Sequence, residues 1–129
     1  SYIYIMNLGN IIEHINQKYP SINYGGCGTF SYHLSKLLHE KHGIKSEIVY
    51  IDSDTPPAGK PDYDIKFSHI LVKIGNKFID NNGIYNNILT HKYLDFSKLE
   101  EMIKIPELWN NIYDHNQTPY LISDLDRLL

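Results

Sequence analysis

Apolar residues in this chain follow two kinds of spacing, and the switch between them lays out most of the fold. Leu8, Ile11, Ile12 and Ile15 recur at helical intervals, which predicts a first helix over 7–18, stopped by Tyr19-Pro20. Phe30, Leu34, Leu37 and Leu38 stand at i, i+4, i+7 and i+8. That spacing predicts a second helix over 27–42 with one buried face, and Gly43 is its expected left-handed stop. Between the helices, 21–26 reads as a turn. Residues 44–51 are β-branched and tyrosine-rich, a strand composition. Two further strands are expected over 66–74 and 77–81, joined by the hairpin signal Gly75-Asn76.

The rest is read from punctuation. Residues 52–64 hold three prolines, one glycine and four aspartates; such a loop is longer than a plain connector requires. Asn81-Asn82-Gly83 is expected to break the sheet. Ser97-Lys98-Leu99-Glu100 has the capping-box pattern and predicts a helix over 98–103. Ser123 is expected to cap a short terminal helix ending in Leu128 and Leu129.

Bulk properties narrow the classes. The 129 residues are expected to form one domain, 1–129, long enough for a sizeable core. With 42% hydrophobic and 21% charged residues, the chain reads as globular rather than disordered. The net charge of −3 and the lack of a Lys/Arg stripe argue against a nucleic-acid partner. No apolar run approaches the ~20 residues of a membrane span, and no secretory leader is visible. A single cysteine makes no internal disulfide, so the expected location is the cytoplasm. Ala58 is the only alanine and Arg127 the only arginine, while Ile, Asn, Lys and Tyr abound. These favour AT-rich codons, so the expected source is a low-GC bacterium, or a phage or virus working in its host's cytoplasm.

The chemistry centres on that cysteine. Cys27 sits in Tyr24-Gly25-Gly26-Cys27-Gly28-Thr29-Phe30, at the start of the second helix, where unpaired N–H groups and the positive dipole end favour a thiolate. His69 lies within the strand 66–74 and Asp80 near the end of the next. With a two-residue loop at Gly75-Asn76, Lys73 pairs with Phe78 and Leu71 with Asp80. His69 and Asp80 then share a sheet face as diagonal neighbours, roughly 5–8 Å apart at Cβ. A one-residue slip would separate them. Gly25, Gly26 and Gly28 are expected to leave room for a substrate carbonyl to reach the Cys27 N–H as an oxyanion donor. In this reading Cys27 attacks a carbonyl, His69 handles its proton and Asp80 orients the ring. Tyr24, Tyr32 and Tyr85 are expected to line a pocket beside the thiol.

The order of a glycine-flanked cysteine, helix, Gly43-Ile44, histidine strand and aspartate strand resembles the papain-like cysteine hydrolase superfamily. Within it, the stretch from Gly25 to Tyr85 is similar to transglutaminase-like cores and, more loosely, to arylamine N-acetyltransferases. The resemblance implies an α+β, papain-like/transglutaminase-like fold, with helices packed on a small antiparallel β-sheet. It implies a Cys27–His69–Asp80 triad that hydrolyses or transfers an acyl group at an amide carbonyl, of a peptide or a Gln side chain, through an acyl-cysteine. Papain-type enzymes also place a side-chain oxyanion donor ahead of the cysteine; Asn23 or Gln17 can fill that place, Asn23 being better sited. The chain departs from the pattern in having Ile70 where an aromatic often follows the histidine. It also leaves no room for the extra domains that hold acetyl-CoA.

A protein or peptide substrate and no cofactor are expected. No metal is expected either. His39-Glu40-Lys41-His42 lacks zinc-protease spacing, the aspartates of 52–64 form no EF-hand, and Gly25-Gly26-Cys27-Gly28 lacks the Lys-Ser/Thr ending of a phosphate loop. The rival expectation is a non-catalytic domain of the same fold that binds or sequesters a host factor. A redox-sensing thiol is a third.

Overall fold

The structure is a computed structural model that describes residues 2–88 and 90–129, with side chains described from Asn7 onward. Helix α1 spans Tyr2–Lys18 and helix α2 spans Cys27–His42. Leu8, Ile12 and Ile15 of α1 are fully buried, as the helical spacing requires. Helix α2 buries Phe30, Leu34 and Leu38 with the small residues Gly28, Thr29, Ser31 and Ser35 between them. Small side chains let the helix lie close to the sheet, and the Ser31 hydroxyl donates across to the Ile70 carbonyl at 3.2 Å. Gly43 ends α2 in the left-handed conformation, φ 65°.

Five strands follow: β1 Glu47–Asp52, β2 Phe67–Ile74, β3 Lys77–Asp80, β4 Gly83–Tyr85 and β5 Lys92–Leu94. They form an antiparallel sheet in the order β4-β3-β2-β1-β5. The β2–β3 hairpin has the expected register, pairing Ile74 with Lys77 and Lys73 with Phe78. Ile48, Ile70, Val72 and Ile79 face the helices in the main core, while Val49, Leu71 and Phe78 form a second cluster on the opposite face. The α+β class holds: helices cover one face of a small antiparallel sheet.

Three expectations are corrected. Asn81-Asn82-Gly83 does not break the sheet; it is a turn into β4, with Asp80 paired to Gly83. Helix α3, Phe96–Met102, starts before Ser97, and Asp95 stands at its N-cap without a side-chain capping bond. The capping box is not made because Ser97 already lies inside the helix; Glu100 instead accepts the Tyr32 hydroxyl. Ser123 lies inside helix α4, Thr118–Leu128, which Pro119 opens in its first turn.

Helix α4 is tied to α1 through Asp124, which accepts the buried Tyr19 hydroxyl at 2.6 Å and pairs with Lys18 at 2.7 Å. These partners hold its carboxyl down at about 2, against the opposing effect of burial. Asp124→Ala leaves the Tyr19 hydroxyl buried and unpaired, and is expected to cost about 1–3 kcal/mol. Tyr19→Phe, which removes only the donor, should cost about 1 kcal/mol. Urea unfolding of the two variants measures both; equal, negligible costs would mean that Asp124 does not join the helices.

Candidate active site

His69 and Asp80 are hydrogen-bonded, and Cys27 lies near enough to act on the charge of the His69 ring. Asp80, at the end of β3, is 4% exposed, and its carboxylate is filled from both sides. One oxygen accepts His69 Nε2 at 2.8 Å and, weakly, Asn23 Nδ2 at 3.5 Å. The other accepts the backbone N–H of Asn82 at 2.8 Å and of Gly83 at 3.2 Å, together with the Tyr85 hydroxyl at 3.1 Å. An ionised carboxylate only accepts, so Nε2 carries the proton between Asp80 and His69. The other ring nitrogen, Nδ1, takes no part in the bond to Asp80.

Burial disfavours a charge on His69, yet the Asp80 hydrogen bond and the neighbouring Cys27 side chain outweigh it and push the imidazole up to about 9. Burial likewise raises Asp80, and its bonds to His69, the Asn82 N–H and Tyr85 more than compensate, holding it below its ordinary 3.8. Tyr85 is pushed up to about 12 by burial and by the Asp80 charge it donates to.

Strict alternation groups His69 with Leu71 and Asp80 with Phe78, on the face away from α2. The ladder is irregular at this point: Ile51 pairs with His69 but Asp52 pairs with Phe67, leaving Ser68 without a partner. Such a bulge bends a strand and re-aims its neighbours. The irregularity lies at the end of β2, beside the head of α2 and Cys27.

A cleft of about 190 Å³ opens over Cys27. Asn23, Gly25 and Ser68 line it, as do Pro57 and Ala58 of the long loop and the stretch Glu107–Asn111. The glycines around the thiol make room for the protein itself. A Cβ at Gly28 would strike the Trp109 ring; at Gly25 it would lie 2.9 Å from Asn111 Cβ, and at Gly26 2.8 Å from the Tyr113 ring. The clearance expected for a substrate is thus taken up by residues 109–113, and Cys27 is buried. Gly25 alone of the three glycines reaches the cleft.

The tyrosines are placed differently from the expectation. Tyr24 is 59% exposed and outside the cleft, though its carbonyl accepts the Tyr113 N–H at 3.0 Å. Tyr32 stacks on Phe96 beside a separate cavity of about 450 Å³. That cavity is larger but contains none of the three residues. Tyr85 serves Asp80 from behind, a role visible only once Asn81-Asn82 is read as a turn. Trp109 was legible only as a core aromatic. Gln17 takes no part in the cleft. Among the described residues, no group of three or more His, Cys, Asp or Glu side chains is placed to hold a metal ion. No helix among them is long and apolar enough to cross a membrane.

No protein-family model, curated protein or solved structure matches this chain.

Two measurements check that geometry. His69 is raised from 6.5 to about 9, so its stabilising contribution is complete below about 6.5 and lost as pH rises through about 9. Histidine NMR should show this titration in the native protein, and both Asp80→Asn and Cys27→Ser should lower it. A midpoint near 6.5 in the native protein would refute the arrangement. Tyr85→Phe keeps the ring and removes one donor, so the Asp80 carboxyl should titrate higher than in the native protein. Its contribution, complete above 3.8, would then fade at higher pH on acidification. An unchanged carboxyl titration would show that the Tyr85 hydroxyl does not act on Asp80.

Proposed function

We propose that this protein is a thiol-nucleophile hydrolase or acyltransferase, acting on amide carbonyls through an acyl-cysteine, on a papain-like, transglutaminase-like scaffold. The observation that carries the reading is a buried Asp80 bonded to the His69 ring at 2.8 Å, with the only cysteine, Cys27, at the start of α2. Cys27 Sγ attacks the carbonyl carbon, forming a C–S bond and a tetrahedral oxyanion. The Cys27 N–H at the head of α2 donates to that charge. His69 gives its proton to the amide nitrogen, the C–N bond breaks and the amine leaves. Water or a second amine then attacks the thioester, His69 takes its proton, and the thiol is released. Asp80 keeps the ring oriented and offsets its charge throughout. Peptides or proteins are the natural substrates, and an unpaired cysteine suits a reducing cytoplasm.

Asn23 contributes differently from a papain-type oxyanion donor. Its Nδ2 is turned to Asp80, so it supports the carboxylate in the resting site. One observation favours the rival reading of a binding or sequestering domain: Cys27 is buried, with Trp109 packed over Gly28.

Iodoacetamide separates the two. An activated thiol should alkylate at Cys27 near neutral pH at least about tenfold faster than a free peptide thiol, and His69→Ala should abolish the advantage. Labelling no faster than the peptide would favour the binding role.

A further inference from the structure

The Cys27 cleft, whose lining does not include His69 or Asp80, is walled by one charged residue. Its polar residues Asn23, Ser68, Asn110 and Asn111 are neutral, and neither lysine nor arginine reaches it. The exception is Glu107, which lies next to Leu108 and Trp109. Its backbone is pinned where the long loop crosses it, since Gly59 sits directly against the Glu107 carbonyl. Glu107 is exposed and, among the described residues, has no ion-pair or hydrogen-bond partner. Many lysines, by contrast, are engaged: Lys18, Lys41, Lys60, Lys92 and Lys98 all pair with aspartates. The same wall carries Trp109, with Phe67 5.3 Å away from it, ring centre to ring centre. Aromatic faces attract cations as a carboxylate does, and repel anions.

We infer that Glu107 selects substrates bearing a positive charge beside the reacting carbonyl, a lysine, arginine or amine-bearing group, and disfavours acidic ones. This rests on Cys27 being the reacting atom. Glu107 touches neither the thiol nor the ring in this role. It sets which molecules enter, by attraction across a cleft that is otherwise uncharged. Because the carboxylate is exposed, the effect is modest and sensitive to salt.

Methanethiosulfonate reagents of similar size but cationic, neutral or anionic character test this at Cys27. Each rate is divided by that of the neutral reagent, so a weakly activated thiol changes all rates and leaves the ratios readable. Relative to Glu107→Gln, the native protein should favour the cationic reagent by about two- to fivefold and disfavour the anionic one similarly. Glu107→Lys should reverse the order, Glu13→Gln on the exposed side of α1 should change nothing, and 0.5 M salt should flatten the differences. Ratios identical in the native protein and Glu107→Gln would overturn the inference, whatever iodoacetamide shows about activation. Slow labelling with ratios that still follow Glu107 would instead support it while counting against the enzyme.

Discussion

The Asp80 carboxylate is the constraint on which the site depends. A buried anion is tolerated only when its lone pairs are satisfied and a countercharge is near, and Asp80 meets both conditions with donors from separate parts of the chain. The turn into β4 supplies two backbone N–H groups, β4 the Tyr85 hydroxyl, the segment before α2 the Asn23 amide, and β2 the His69 ring. Each bond fixes a segment as well as a charge. The same carboxylate decides the state of the histidine. Burial alone would strip the proton from His69, as it does for His33, where desolvation and the Lys36 charge bring the ring down to about 4. Two half-buried histidines in one small domain thus differ by the presence of a carboxylate.

The thiol is governed by a second constraint, the shortage of space at the head of α2. Gly25, Gly26 and Gly28 face Asn111, Tyr113 and Trp109 at separations that no Cβ would permit. The stretch after α3 can therefore cross the helix start, where Trp109 is held by its indole N–H bond to the Met102 carbonyl at 2.9 Å. From the other side the long loop meets this stretch at Gly59 and Glu107. Two irregular segments, far apart in sequence, thereby build the walls over one sulfur. Access to Cys27 is set by how they lie together, which is why the character of Glu107 matters more than that of a residue on a helix face.

Sequence periodicity made the frame legible. Helix α2 and the β2–β3 hairpin were readable because an amphipathic stripe and a two-residue turn each fix geometry locally. The shared face of His69 and Asp80 followed from the hairpin register. Less was readable where long-range contacts decide. The three residues of β4 and the three of β5 are too short to show alternation. Their pairing partners, not their composition, make them strands. The bulge at Ser68 leaves no mark in residue type, so this departure of the ladder from strict alternation was not readable. The glycines were noticed correctly as a need for clearance. What fills it, Trp109 to Tyr113, lies more than eighty residues later in the chain, beyond any local signal.

A buried histidine–carboxylate pair does little for stability when hydrophobic residues of similar volume would fill the same space at no greater cost. The main core beside it is well packed with Ile70, Val72 and Ile79, and nothing about the hairpin demands charges at positions 69 and 80. A domain that only bound a partner would be expected to lose such a pair without penalty, or to keep one residue as an ordinary cap to the turn. Here the turn needs one Asp80 oxygen, and the other is turned to an imidazole beside a thiol. That second oxygen also takes the weak Asn23 amide bond, but its short bond is to the ring. Holding the His69 ring is thus what a carboxylate at position 80 adds beyond capping the turn, and the proposed chemistry at Cys27 rests on that bond.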